Sequence, residues 1–168
     1  NLESKWESGC SYEVTSKAKD WANNAEVTFT WVKFFIDKLR PESGISTPVD
    51  GEYYSDNKPM TLIYGTCQDN PTPPLYNSGV DNVKLRIYDQ TAGVYWDANN
   101  NIWSSTETWN TCSYVSGNST FTFSITNDKW SDEHTYVLNS KAQDKVTLEE
   151  INFSTTTFTF DSTPGSVS

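Results

Sequence analysis

The residues best suited to chemistry in this chain are aromatic. Tyr95, Trp96, Trp103 and Trp109 stand close together in the sequence, interleaved with Asp97, Asn99, Asn100 and Asn101. Flat rings on which a sugar can stack, beside side chains that bond its hydroxyls, make these four aromatics candidate carbohydrate contacts. The same spacing also suits rings that pack on one another across a hairpin, at about 0.2–1 kcal/mol per pair. Packing is the simpler account, and a sugar face is its alternative.

Oxygen ligands come next. The stretch from Asp97 to Asn101 begins like a calcium loop, but Ile102 stands where the loop needs glycine and Thr108 where it needs a bidentate glutamate. Asp37, Asp69 and Asp144 fall near expected strand ends, as candidate calcium ligands at a junction between units or as solvated turn carboxylates. No other metal or cofactor is expected. Asn118 and Asn152 each begin an N-x-Ser/Thr sequon and are candidate glycosylation sites, Asn118 the better placed because it lies at a turn. Catalysis has little to work with. His134 is the single histidine, no Gly-x-Ser-x-Gly elbow or phosphate loop is present, and Glu149 with Glu150 reads as a solvated strand edge. The expectation is a protein that is not an enzyme.

Composition narrows the class. The chain has 168 residues, 14% aromatic and only 20% charged, with a formal net charge of −10. Such a balance repels phosphate backbones and anionic membranes, so no nucleic-acid partner is expected. No apolar run reaches the ~18 residues that span a bilayer, so membrane insertion is not expected in this segment. A polar but weakly charged surface over Thr-, Tyr-, Phe-, Trp- and Val-rich segments suits a secreted or cell-surface all-β protein.

The elements that must position these residues show as short segments of period two, with turn signals about every ten residues. Expected strands carry Met60, Leu62 and Tyr64 on one face, then Val83, Leu85 and Ile87. A hairpin joins Tyr95–Trp96 to Ile102–Trp103, Trp109 to Val115 forms the next strand, and Phe121, Phe123 and Ile125 follow the Gly117–Asn118 turn. The last pair runs over 135–142 and 151–161. Pro71, Pro73 and Pro74 keep the 70–79 loop out of regular pairing. Residues 6–37 then return at 130–161 with an unbroken offset of 124, identical at Trp6/Trp130, Tyr12/Tyr136, Ser16/Ser140, Lys17/Lys141, Ala18/Ala142, Asp20/Asp144, Glu26/Glu150, Phe29/Phe153, Phe34/Phe158 and Asp37/Asp161. Fixed-offset self-similarity is the mark of a modular array. It assigns residues 1–46 to the last two strands and linker of one module, the linker running from Asp37 to Pro48 past Pro41 and Gly44. Residues 47–168 form a complete module, with Ser162 to Gly165 repeating the linker chemistry. A sheet with one apolar face must bury it against a second sheet, which gives a β-sandwich. In the strand order so inferred, Cys67 and Cys112 end their strands at the same pole and are candidates for a disulfide, with Cys10 as the alternative partner; a bridge would contribute about 2–4 kcal/mol.

The run Gly65-Thr66-Cys67-Gln68-Asp69-Asn70 followed by Val83-Lys84-Leu85-Arg86-Ile87, then Gly93-Val94-Tyr95-Trp96, His134-Thr135-Tyr136, Ser140-Lys141-Ala142-Gln143-Asp144 and Phe158-Thr159-Phe160-Asp161-Ser162-Thr163-Pro164, resembles the bacterial immunoglobulin-like or fibronectin type III-like repeats found in tandem in large surface proteins. The resemblance implies an all-β immunoglobulin-like sandwich and a structural role: a spacer or filament-building module whose partners are neighbouring modules of the same protein or identical subunits. A carbohydrate-binding module that contacts cell-surface glycans through the aromatic hairpin is the alternative.

Overall fold

The computed structural model describes residues 5–73 and 75–163, so the expectations for Pro74, Pro164 and Gly165 lie outside the described residues. Strands in chain order are β1 (Ser11–Val14), β2 (Val32–Phe35), β3 (Glu42–Thr47), β4 (Glu52–Tyr54), β5 (Leu62–Gln68), β6 (Val80–Asp89), β7 (Val94–Asp97), β8 (Ile102–Ser104), β9 (Asn110–Thr111), β10 (Ser113–Val115), β11 (Thr120–Ser124), β12 (His134–Asp144) and β13 (Ser154–Phe160). The only helical segments among the described residues are single 3₁₀ turns such as Ser116–Asn118 and Asn127–Lys129.

Strands β3 to β13 form an all-β sandwich. The smaller sheet runs β10-β11-β5-β3, and the larger runs β4-β13-β12-β6-β7-β8 with β9 also on β6. Val83, Leu85 and Ile87 of β6 point inward as their alternation requires, and Leu138, Tyr136 and Phe158 of the flanking strands share that face. Opposite them lie Ile63, Phe121 and Phe123 from the smaller sheet. Each such side chain contributes about 1.5–3 kcal/mol through burial.

The structure corrects four of the strand expectations. In β5 the inward residues are Ile63 and Cys67, while Leu62 and Tyr64 face out. Met60 is buried but precedes the strand, so alternation does not carry across Thr61. Gly65 sets the parity: a Cβ there would lie 2.3 Å from both the Gly44 carbonyl oxygen and Phe121 Cζ, so Phe121 crosses the strand where there is no side chain. The segment expected as one strand from Trp109 to Val115 is two. Asn110–Thr111 pairs with β6 in the larger sheet, Ser113–Val115 pairs with β11 in the smaller, and Cys112 is the crossing point. Residues 151–153 precede β13 rather than starting it. Finally, residues 42–47 of the expected linker are β3, hydrogen-bonded along β5, so the connection between β2 and β3 is residues 36–41, where Pro41 blocks further pairing.

The repeat is realised as geometry. β1 pairs with β2 in the register Tyr12↔Phe34, as β12 pairs with β13 at Tyr136↔Phe158. Trp6 sits edge-on to Tyr12 at 4.5 Å and to Phe34 at 5.3 Å, while Trp130 does the same to Tyr136 at 4.8 Å and Phe158 at 5.1 Å. Tyr136 Oη accepts the Ser131 N–H at 2.7 Å, the tyrosine corner of immunoglobulin-like sandwiches, and Tyr12 Oη accepts the Glu7 N–H at 2.8 Å. Glu26 Oε2 accepts the Ala18 N–H and Glu150 Oε2 that of Ala142. Both copies turn through a residue at φ 70°, Asn23 and Thr147. What differs is cover. Leu138 is fully buried, yet its counterpart Val14 is 54% exposed.

Candidate functional site

The structure splits the aromatic group between two faces of the larger sheet. Trp96 pairs with Trp103 across the β7–β8 hairpin at a centroid distance of 5.4 Å, and Trp103 continues to Tyr136 at 5.6 Å and Trp130 at 6.3 Å. Trp96 is only 4% exposed and belongs to the packed interior, with half-buried Trp103 packed against it. Tyr95 and Trp109 lie on the outer face. Tyr95 packs on Tyr88 with tilted rings 4.7 Å apart, Arg86 lies over both Tyr95 and Trp109, Lys141 lies 4.8 Å from the Trp109 ring, and Phe153 meets that ring edge-on. The cations already have carboxylate partners, Arg86 with Glu107 and Lys141 with Glu149.

The second assembly is acidic. Asp37, Asp69 and Asp144, distant in sequence, offer carboxylate oxygens that all lie within 4.8 Å of one another. Asp37 comes from the connection after β2, Asp69 from the end of β5 and Asp144 from the last residue of β12, so the cluster sits where the first unit meets the second. The Ser78–Gly79 turn holds two of them: Asp37 Oδ2 accepts the Ser78 N–H at 2.7 Å, and Asp69 Oδ2 accepts the Gly79 N–H at 2.7 Å and the Ser78 hydroxyl at 3.2 Å. Gly79 is needed there because its φ is +83°. Asp144 Oδ1 accepts the Leu148 N–H at 2.7 Å. Burial pushes Asp69 above the usual carboxylate range, the Asp37 charge adds to the rise, and the Gly79 and Asn70 amides oppose it. Burial likewise raises Asp144, against the Leu148 amide, with a further rise from Asp37. Three oxygen donors without nitrogen or sulfur suit a hard cation.

Around this cluster the two units interlock. Tyr76 donates its N–H to the Gly9 carbonyl at 3.1 Å, Asn70 Nδ2 donates to the Arg40 carbonyl at 3.0 Å, and the Arg40 guanidinium bonds the Glu149 carbonyl. Phe35 packs on Tyr76 with centroids 4.5 Å apart. Gly9 has φ +81°, and a Cβ there would stand 2.9 Å from Pro71 Cγ, so contact at this point requires glycine.

The other candidates resolve individually. The Cys67–Cys112 bridge is not formed, and Cys10 is unbonded as well. Cys67 and Cys112 sit in the apolar core, where burial pushes their thiols up to about 11 and about 12, which disfavours the thiolate that bridge formation needs. Asn118 and Asn152 are both exposed. Asp97 closes its own turn by accepting the Asn99 and Asn100 N–H groups. Glu150 is no solvated edge: it is buried and receives the Ser43 hydroxyl at 2.6 Å besides the Ala142 N–H. Its identity with Glu26 in the repeat was the signal for that role. His134 Nδ1 meets Asp89 Oδ2 at 2.7 Å, and Asp89 Oδ1 caps the following turn through Thr91 and Ala92. The Ser78–Gly79 turn, which orients two of the aspartates, had no signal beyond its glycine.

No helix among the described residues is long and apolar enough to cross a membrane. No family model and no curated protein matches the chain. Among solved structures, the crystal structure of CopC from Methylosinus trichosporium OB3b is similar at 11% identity with a TM-score of 0.44, over 75% of this chain and 100% of that one. A likeness at that level carries no argument about function.

Proposed function

We propose that this chain is a stretch of an array of immunoglobulin-like sandwich modules in an extracellular surface protein, non-catalytic, with neighbouring modules of the same protein as its principal partners. The observation that carries the reading is the duplicated geometry: one set of residues, offset by 124, makes the same strand register, the same Trp–Tyr–Phe cluster and the same tyrosine and glutamate hydrogen bonds twice. A unit that repeats locally and meets its neighbour through a short, bonded connection spaces what lies at its ends. Residues 42–168 form one module in this reading, and residues up to 41 close the module before it and link the two. Small-angle scattering is the test. A spacer gives an elongated two-body particle whose maximum dimension is insensitive to ionic strength, whereas a compact particle overturns the reading.

One observation favours a second reading. The outer-face strip of Tyr88, Tyr95, Trp109 and Phe153, interleaved with Arg86 and Lys141, offers rings and cations on a single surface. Saturable quenching of tryptophan fluorescence by an oligosaccharide, lost in Trp109→Ala, would make this a carbohydrate-binding module.

A further inference from the structure

The connection between the two units ends in a cluster of three carboxylates, two of them buried. Asp69 is 6% exposed and Asp144 1% exposed. Each carries a carboxylate into a site where Asp37 adds a third. Burying a charge costs heavily unless it is paired. The amides of Ser78, Gly79, Asn70 and Leu148 satisfy some of the oxygens. Asp144 Oδ2 has no hydrogen-bond partner although it is buried. Two cations lie nearby against these three carboxylates: Arg40, which favours the Asp144 charge while its guanidinium bonds the Glu149 carbonyl, and Lys145, whose Nζ would stand 3.3 Å from a Cβ at Gly79. A buried carboxylate oxygen without a hydrogen-bond partner, in a cluster of three carboxylates, is an open ligand position for a cation.

We propose that Asp37, Asp69 and Asp144 bind one calcium ion that fastens the first unit to the second. The inference rests on the spacer reading for its purpose, but the site stands on its own residues. Asp69 and Asp144 belong to the sandwich and Asp37 to the connection, so an ion held by all three ties the connection to the module it enters. The donor set selects the ion. Oxygen ligands alone, on a turn and two strand ends, suit calcium, which accepts irregular geometry at 2.3–2.6 Å, better than magnesium, which demands an octahedron at 2.0–2.1 Å. The repeat carries the same donors onward. Asp161 occupies the place of Asp37 and accepts the Thr163 N–H at 3.1 Å, as Asp37 accepts that of Leu39 at 3.2 Å. Asp20 occupies the place of Asp144 and accepts the Asn24 N–H at 2.8 Å.

Isothermal titration of the 168-residue chain with calcium chloride tests this directly, with magnesium chloride as the competing probe. One calcium per chain is expected, with Kd no weaker than about 1 mM, the weak end for extracellular calcium modules, and a weaker response to magnesium. Asp144→Asn and Asp69→Asn each weaken binding by roughly tenfold or more, because calcium affinity follows the number of ligand charges. Both alter buried positions and could unfold the module, so Asp37→Asn, at a half-buried position on the connection, is the deciding variant. Measured against its own melting temperature without calcium, it loses the calcium-dependent rise the parent shows and any calcium-dependent narrowing of the scattering profile. Absence of saturable heat up to about 10 mM calcium, a decade above the expected range, or equal affinity in parent and Asp37→Asn, overturns the inference. Failure here with an elongated, rigid particle leaves the spacer reading intact. Calcium binding to a compact particle sinks the spacer reading instead.

Discussion

Replacing Trp96 by alanine separates a packed hairpin from a sugar platform more sharply than any other single change. Trp96 is 4% exposed, faces Trp103 at 5.4 Å and has the Lys129 ammonium 6.0 Å from its ring. Its backbone carbonyl accepts from Asn110 Nδ2 at 3.0 Å, a bond that alanine retains. The loss is therefore confined to the side chain. Burying an indole removes roughly 150–250 Å² from water, and the part that alanine cannot replace is worth about 3 kcal/mol at 25 cal/mol/Å². A cavity term follows, because Trp103 is held from the other side by Tyr136 and by its Nε1 bond to the Lys129 carbonyl, so the hairpin cannot collapse freely. Measured Trp→Ala losses of about 3–5 kcal/mol bracket the sum. For a sandwich of this size that lowers the melting temperature by roughly 10–20 °C. Thermal melts by circular dichroism, beside Trp21→Ala at a fully exposed position as control, read the difference. A Trp96→Ala variant melting within a few degrees of the control refutes the packing argument.

Three further outcomes follow from the same geometry. Gly65→Ala forces a Cβ onto the Gly44 carbonyl and the Phe121 ring and should destabilise by about 1–3 kcal/mol as overpacking does, read from the urea midpoint; an unchanged midpoint contradicts the crossing of β5 by Phe121. Native-state alkylation at pH 8 should label half-buried Cys10 and spare Cys67 and Cys112, whose thiols burial pushes up to about 11 and about 12, with mass spectrometry of the digest showing which thiols reacted; rapid labelling of Cys67 in folded protein would be fatal to that placement. Asp132 is held below the usual carboxylate range by the Thr163 hydroxyl and the Ser162 amide, and Asp50 by the Thr157 amide and hydroxyl. A depressed folded pKa contributes stability that is complete above the unfolded value of about 4 and is lost as pH falls through the folded value. Acid unfolding should therefore steepen below about pH 4 and flatten in the Asp50→Asn/Asp132→Asn double variant.

What the sequence made legible was whatever is local or repeated. Period-two alternation found Val83, Leu85 and Ile87, the hairpin turn at Asn101 with its φ of 56°, and the tyrosine corner. Alternation failed in β5 because the parity of a strand is decided by what crosses it, and the crossing ring, Phe121, is distant in sequence. It failed again at Cys112, where the chain changes sheets: nothing in Asn110 to Val115 distinguishes one partner strand from another. The aromatic hairpin read as one group because spacing gives adjacency but not face, and the pleat then sent Trp96 inward and Tyr95 outward. The three aspartates could be named as strand-end residues, but their meeting depends on the Ser78–Gly79 turn, whose partners come from both units.

The two copies of the repeat also separate what a sequence does by itself from what its surroundings do. Tyr12, Glu26 and Asp20 make the same hydrogen bonds as Tyr136, Glu150 and Asp144, although the first copy is exposed where the second is buried. These bonds span a few residues each, so strand, turn and corner are encoded within the repeat. Burial is not. Val14 and Val32 occupy the places of Leu138 and Thr156, which β6 and the smaller sheet cover, and no described strand covers the first copy in the same way. A two-stranded ribbon is marginal in water, so the stability of β1 and β2 rests on the junction at Gly9, Phe35 and Asp37 and on whatever packs against that open face. The local bonds of the first copy should accordingly exchange their amide hydrogens far faster than the same bonds of the second, Glu7 and Ala18 before Ser131 and Ala142. Equal protection of the paired amides in hydrogen-exchange mass spectrometry would show that the short-range bonds, rather than the sandwich core, hold the repeat together.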